Sequence, residues 1–252
     1  MVQKAQCPAR ARPWRRRRRD ELVKSRVIAI AGAKGSPGCS FLAVALARHL
    51  AESQVSTLLL DADAEGGGLA ALLDIGPADA INANRVDVPA MQVDQNLSFA
   101  ELGQPIDEAF NGLEWMGAAR AEHEAVIVDL GHSAGPLQRQ LSAAADWLLW
   151  VVVPDRSGLQ RADATLASGR LGSASVGLIF NRLRRGCLEG AEEALAGRHQ
   201  LPILCRFAED RHISHRLTYG LPVHRVWSLR RPLRALAKSV HPDTGSAVSR
   251  WQ

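Results

Sequence analysis

The chain has 252 residues, of which 46% are apolar, enough to bury one large core. No apolar run reaches the roughly 18 residues that a membrane-spanning helix needs, and four scattered cysteines (Cys7, Cys39, Cys187, Cys205) offer neither a C-x-x-C zinc site nor a disulfide framework, so a reduced, cytoplasmic protein is expected. The net charge of +5 conceals three blocks, +8 over residues 1–26, −10 over residues 27–181 and +7 over residues 182–252, so an acidic body lies between two basic ends.

Residues 1–26 carry ten Lys/Arg against Asp20 and Glu21, with Arg15–Arg19 in one block and Pro8, Pro13 and Trp14 beside it. No hydrophobic period runs through them, which predicts a disordered tail. Three readings are open: a segment that binds nucleic acid or anionic lipid, a solvated tail without a partner, or residues upstream of a chain that truly starts near Val23. No apolar stretch follows the charges, so a secretory signal is not expected.

Val27-Ile28-Ala29-Ile30-Ala31 reads as a buried strand, and Gly32 to Ser40 (G-A-K-G-S-P-G-C-S) follows it directly. A phosphate-binding loop reads G-x-x-x-x-G-K-[ST] between a strand and a helix. Gly32 and Gly38 have that spacing and Ser40 holds the hydroxyl position, but the lysine position is Cys39, and a lysine stands earlier, at Lys34. Glycines let backbone N–H groups converge on one phosphate, and the positive end of the following helix adds to them. Phe41, Leu42, Ala45, Leu46, His49 and Leu50 continue at helical spacing. The competing reading is a glycine-rich turn that holds no ligand. A thiol at a helix N-terminus can ionise at lowered pH, so a reactive Cys39 stays open at this point.

Val55–Leu60 reads as a second buried strand, ending in Asp61-Ala62-Asp63, with Gly66-Gly67-Gly68 and an apolar helix from Leu69 after it. A third strand, Ala125–Val128, ends in Asp129-Leu130-Gly131. Each aspartate alone is an ordinary strand-end or cap residue. Three strands that bring a loop or an aspartate to one edge match the place where an open parallel sheet carries its ligand chemistry. Between them, 96–102 suggests a short strand and 107–120 a helix with Ala109, Phe110, Leu113 and Met116 on one side. Trp115, Trp147, Trp150 and Trp227 read as core or interface residues. In the last third, Arg182, Arg184, Arg185, Arg211, Arg216 and Arg225 precede Arg230, Arg231 and Arg234. These form either a face for nucleic-acid phosphates or solvated helix surfaces. Ser246–Gln252 shows no long amphipathic helix of the membrane-binding kind. The fold class expected is α/β: one phosphate-loop domain over 27–240, a mostly parallel sheet with helices on both faces, followed by a tail over 241–252.

As an ordered set these motifs resemble the ParA/MinD group of deviant phosphate-loop ATPases. The family's K-G-G-x-G-K-[ST] corresponds to Lys34-Gly35-Ser36-Pro37-Gly38-Cys39-Ser40, its D-x-D to Asp61 and Asp63, its third strand end to Asp129 and Gly131, and a later Asn-Arg to Asn181-Arg182. Ala145–Asp155, Gly220-Leu221-Pro222 and Pro232–Ala237 follow the family's order as well. The Ser-Pro-Gly loop and the D-A-D-x-x-G-G-G-L run are most similar to actinobacterial members related to Tad/Flp pilus localisation ATPases (CpaE/TadZ-like).

The resemblance implies ATP and magnesium as cofactors. It implies that Lys34 reaches a partner subunit's phosphates, that Asp63 positions the attacking water, and that Ser40 ligates magnesium with Asp61 close by and Asp129 acting through its water shell. Asn181 matches the adenine reader. Residues 32 and 34–40 would then be the nucleotide cradle. The implied behaviour is an ATP-dependent homodimer that positions a cargo, with the nucleoid, a partition protein or a pilus or secretion component as partner. Cys39 departs from the pattern and points to slow hydrolysis. The alternative is a pseudo-ATPase scaffold on the same fold. A metabolic phosphoryl-transfer enzyme is a third reading, disfavoured by the short chain without a separate substrate domain.

Overall fold

The computed structural model describes residues 25–33, 37–63, 68–75, 90–102, 111–132, 135–169, 175–184, 190–218 and 226–242. Eight strands form one sheet: β1 (Arg26–Gly32), β2 (Thr57–Asp61), β3 (Met91–Asp94), β4 (Leu97–Glu101), β5 (Ala125–Asp129), β6 (Trp147–Val152), β7 (Val176–Leu183) and β8 (Ile203–Ala208). The spatial order is β3-β4-β2-β5-β1-β6-β7-β8, and every pairing is parallel except the antiparallel β3–β4 edge. The helices are α1 (Cys39–Glu52), α2 (Leu69–Leu73), α3 (Gly112–Glu122), α4 (Pro136–Ala144), α5 (Arg156–Ala167), α6 (Ala191–His199), α7 (Arg211–Thr218) and α8 (Trp227–Val240). The expected α/β class, a mostly parallel sheet with helices on both faces, is what the chain adopts.

The central strands read as unbroken apolar runs because both faces of the sheet are covered. Along β1 the side chains alternate between two cores: Ile28 and Ile30 pack with α1 and α8, while Val27, Ala29 and Ala31 pack with residues of α3 and α4. β1 leads into α1 on one face and β5 into α4 on the other. Adjacent strands that send their helices to opposite faces open a crevice at their carboxyl ends, and that is where such sheets hold ligands.

α1 buries Phe41, Leu42, Ala45, Leu46 and Leu50 as its period predicts. The expectation for 107–120 needs correction. The described helix is Gly112–Glu122, Met116 is buried but Leu113 is 56% exposed, and Trp115 and Ala119 supply the core contact instead. Ala109 and Phe110 lie outside the described residues, as do the 1–24 stretch, Arg185, Gly220–Pro222 and Arg225. Trp115 and Trp150 are core residues; Trp227 is 84% exposed, so it is no part of the core. α8 contains Pro232 yet holds Leu229, Leu233, Leu236 and Val240 against the sheet. No described helix is long and apolar enough to cross a membrane.

Candidate functional site

β1 delivers Gly32 to the crevice, and the chain re-enters at Pro37-Gly38 to start α1 at Cys39. Lys34, Gly35 and Ser36 lie outside the described residues. Both glycines are required by close approach. A Cβ on Gly32 would stand 2.5 Å from Pro37 Cγ and 3.0 Å from the Val151 carbonyl. One on Gly38, which has φ +100, would collide with the Asn181 amide. That amide secures the loop: Asn181 Nδ2 donates to the Pro37 carbonyl at 2.7 Å, and its Oδ1 accepts from Arg182 N at 2.9 Å. No side chain caps α1 and no acidic residue sits in its first turn. Its leading N–H groups are therefore not spent on a cap, which is the arrangement that suits an anion.

Under the loop, Asp61 and Asp129 are register partners at the carboxyl ends of β2 and β5, and both are buried. Asp61 Oδ1 accepts from Asp63 N at 3.2 Å, and Asp129 Oδ1 accepts from Gly131 N at 3.0 Å. The Ser40 hydroxyl also hydrogen-bonds Asp129. The second oxygen of each carboxylate is buried with no partner among the described residues. Burial, and then the charge of Asp129, raise Asp61 to about 7. Burial raises Asp129 to about 6, against the hydrogen bonds from Ser40 and Gly131. Two unsatisfied carboxylate oxygens and a serine hydroxyl form an all-oxygen donor set that fits a hard divalent cation such as Mg2+.

Cys39 faces inward beside Gly32, where its sulfur would lie 3.3 Å from a Cβ at that glycine. Burial pushes its thiol well above the ordinary range, and Asp129 and Asp63 push it further. The helix N-terminus does not offset this, so Cys39 is a neutral thiol. The reactive form left open by its position at a helix start is not the one this environment favours.

Asp63 stands against Gly131, where a Cβ would collide with its carboxylate. The backbone ties the same segments together: Gly32 N donates to Gly131 O at 3.1 Å, and Ala62 N to Asp129 O at 2.9 Å. The residue that sequence reasoning missed is Gln138. It is buried on α4, and its Nε2 donates to Ala62 O at 3.1 Å, pinning the peptide between Asp61 and Asp63. A glutamine in a polar helix reads as solvent-facing, and nothing local signals otherwise. The other residues brought together here, Gly32, Pro37, Gly38, Cys39, Ser40, Asp61, Asp63, Asp129 and Asn181, are ones the sequence singles out.

The fold is that of the ParA/MinD phosphate-loop nucleoside triphosphatases. A ParA family ATPase from Chlorobium tepidum superposes with a TM-score of 0.72 at 19% identity, over 87% of this chain and 99% of that one. MinD of Pyrococcus horikoshii complexed with Mg-ADP gives 0.71 at 18% identity, over 89% and 99%. Aquifex aeolicus MinD in its complex with MinC gives 0.70 at 18%, over 86% and 96%. By sequence, an uncharacterised ATP-binding protein of Methanocaldococcus jannaschii is 25% identical over 209 residues, 78% of this chain and 79% of that protein. No protein-family model matches the chain.

Proposed function

We propose that this protein is an ATP-binding switch of the ParA/MinD type, cytoplasmic, which dimerises on ATP and positions a cargo. The observation that carries the reading is the meeting of an uncapped helix start with Ser40 and two buried carboxylates, each with one oxygen left over. Gly32 and residues 34–40 would cradle the phosphates, and Ser40, Asp61 and Asp129 would hold magnesium, which supplies charge neutralisation at the phosphates. Asp63 would orient water, and Lys34 would serve the partner subunit's phosphates. Asn181 fixes the loop and, with a lone pair remaining on Oδ1, is assigned to the adenine. The Ser-Pro-Gly loop and the D-A-D run support a Tad/Flp-like subtype and a pilus or secretion partner.

The outward face of α8 supports a second partner class. Trp227, Arg230, Arg231, Arg234 and Lys238 are exposed on it, with no carboxylate partner among the described residues. A row of unpaired cations suits duplex DNA phosphates without sequence preference.

Cys39 is neutral where a cation would help the transferring phosphoryl group, so hydrolysis is slow in this reading. The same observation favours the alternative, a scaffold with no turnover. Calorimetry with Mg-ATP, a turnover assay and light scattering with a slowly hydrolysed ATP analogue separate the two. Binding, slow turnover and an analogue-dependent dimer support the switch. Weak or no binding, or binding without turnover or dimerisation, supports the scaffold and overturns the switch.

A further inference from the structure

Helix α8 has an inward and an outward side. Leu229, Leu233, Leu236 and Val240 are buried against the sheet and α1, so its apolar stripe is taken up by the core. Trp227, Arg230, Arg231, Arg234 and Lys238 recur three or four residues apart on the other side, and all are exposed. From Trp227 to Lys238 this stripe runs about 16 Å along the helix axis, room for about five phosphates at the roughly 3.4 Å spacing of a stacked strand. Trp227 is 84% exposed, and a tryptophan that leaves so much apolar surface in water calls for an explanation.

The free charges around it are of one sign. None of the four cations has a carboxylate partner among the described residues. Among those residues the acid bonded to this end of α8 is Asp210, and both its oxygens are occupied: Oδ2 accepts from the Ser228 hydroxyl at 2.6 Å and Oδ1 from His212 N at 2.8 Å. These bonds fasten the start of α7 to the start of α8 and bring the exposed Arg211 and His212 to the same corner. No side chain caps α8 and its first turn holds no acid, so its leading N–H groups add to the attraction for an anion.

Duplex phosphates answer the cations but not the indole, because paired bases hide their faces inside the stack. A lipid surface needs an apolar helix face to sink into it, and that of α8 is turned to the core. The centre of a protein interface is poor in charge, whereas Trp227 stands at the head of a row of cations. An exposed ring beside such a row fits unpaired bases, which stack on the ring while their phosphates meet the arginines. We propose that α8 holds single-stranded nucleic acid, with one base stacked on Trp227. This rests on the nucleic-acid reading of α8 above and deepens it.

The test measures by fluorescence anisotropy how tightly the full chain holds a labelled oligodeoxythymidylate of about 15 nucleotides, and a labelled duplex of the same length. The Arg15–Arg19 block attracts both and is common to every variant, so each variant is compared with wild type on the same nucleic acid. Trp227→Ala alters an exposed side chain, which does not threaten folding, and should weaken single-strand binding about tenfold, the worth of one stacked base. Its duplex binding, carried by phosphate contacts, should stay within about twofold of wild type. Trp227→Phe keeps a ring and should recover most of the single-strand loss. Single-strand binding that ignores Trp227→Ala overturns the proposal, as does an equal loss on strand and duplex. Duplex binding without single-strand binding overturns it and leaves the duplex reading standing. Binding of neither removes both, and attachment to phosphatidylserine vesicles that Trp227→Ala abolishes would then assign the face to lipid.

Discussion

Replacing Asp61 with Asn should stabilise the metal-free protein near neutral pH while removing its response to magnesium. Asp61 titrates at about 7 rather than 3.8, and Asp129 at about 6 rather than 3.8. One unit of difference between folded and unfolded states corresponds to about 1.4 kcal/mol. The roughly three units on Asp61 therefore amount to about 4 kcal/mol of destabilisation once it is ionised, and the two on Asp129 to about 3 kcal/mol. Part of the Asp61 shift is repulsion by Asp129, so the terms do not add, and one substitution should return about 2–4 kcal/mol. Asn keeps an acceptor for Asp63 N, now bonded at 3.2 Å, and its amide can donate to Asp129. Both folded-state values lie above the unfolded ones, so the folded chain keeps protons that the unfolded chain has lost. The contribution of this pair is then full below about pH 4, falls as pH rises toward about 7, and levels off above that, while the buried His123, lowered to about 4, contributes with the opposite sign in both chains. Urea unfolding in the presence of a chelator, at about pH 5 and about pH 8, reads this directly. Asp61→Asn should exceed wild type at the higher pH by more than at the lower pH, the histidine contribution being common to both chains. Added Mg-ATP should stabilise wild type and not the variant. An Asp61→Asn chain whose advantage over wild type does not grow with pH, or that is weaker than wild type at high pH, would refute the reasoning.

Gly38→Val should abolish Mg-ATP binding by calorimetry. The backbone at φ +100 resists a β-branched residue by about 1–3 kcal/mol, and its Cβ would displace the Asn181 amide from Pro37; unchanged affinity in a folded variant removes the loop assignment. Cys39→Lys should raise turnover or tighten ATP by roughly tenfold or more, since a cation would face Asp129 and Asp63 where a neutral thiol now stands; an ordinary wild-type rate with no gain in the variant contradicts this. Lys34→Ala should remove the ATP-analogue dependence of dimerisation in light scattering, and a dimer indifferent to both ATP and Lys34 contradicts the switch. In a chain starting at Val23, free of the Arg15–Arg19 block, DNA binding should fall steeply with salt, and Ala at Arg230, Arg231 and Arg234 should weaken it evenly across sequences and flatten the salt slope; indifference to DNA at low salt with ATP present leaves the protein partner as the better reading.

The elements legible in the sequence are those whose signal is local. β1, β2 and β5 are buried on both faces, so composition alone marks them, and each ends in the residue that matters. β3 is a largely exposed edge strand, Met-Gln-Val-Asp, with no run and no clean alternation, so nothing local marks it. Leu113 fits the apolar stripe drawn from Ala109 and Phe110, but the helix starts at Asn111, whose side chain caps the Leu113 and Glu114 N–H groups, and Leu113 ends on the outside of its first turn. Trp227 opens α8 at its exposed end, where the apolar face built by Leu229 and Leu233 does not reach.

The site shows the same division at finer grain. Asp61 and Asp129 can each be named from a strand end, but their adjacency comes from β5 inserting between β2 and β1, an order no linear reading contains. That adjacency accounts for part of the raised pKa of Asp61. It also leaves two oxygens that a cation would satisfy, while burial, and then Asp129 and Asp63, raise the Cys39 thiol. Local rules treat Cys39 as a helix-start thiol ready to ionise, whereas burial, and then Asp129 and Asp63, make it the opposite. Residue types thus tell which chemistry is available, and burial, with the neighbours that strand order supplies, shifts its protonation states. The missing lysine matters for this reason: a cation at position 39 would have faced Asp129 and Asp63, where a neutral thiol now stands.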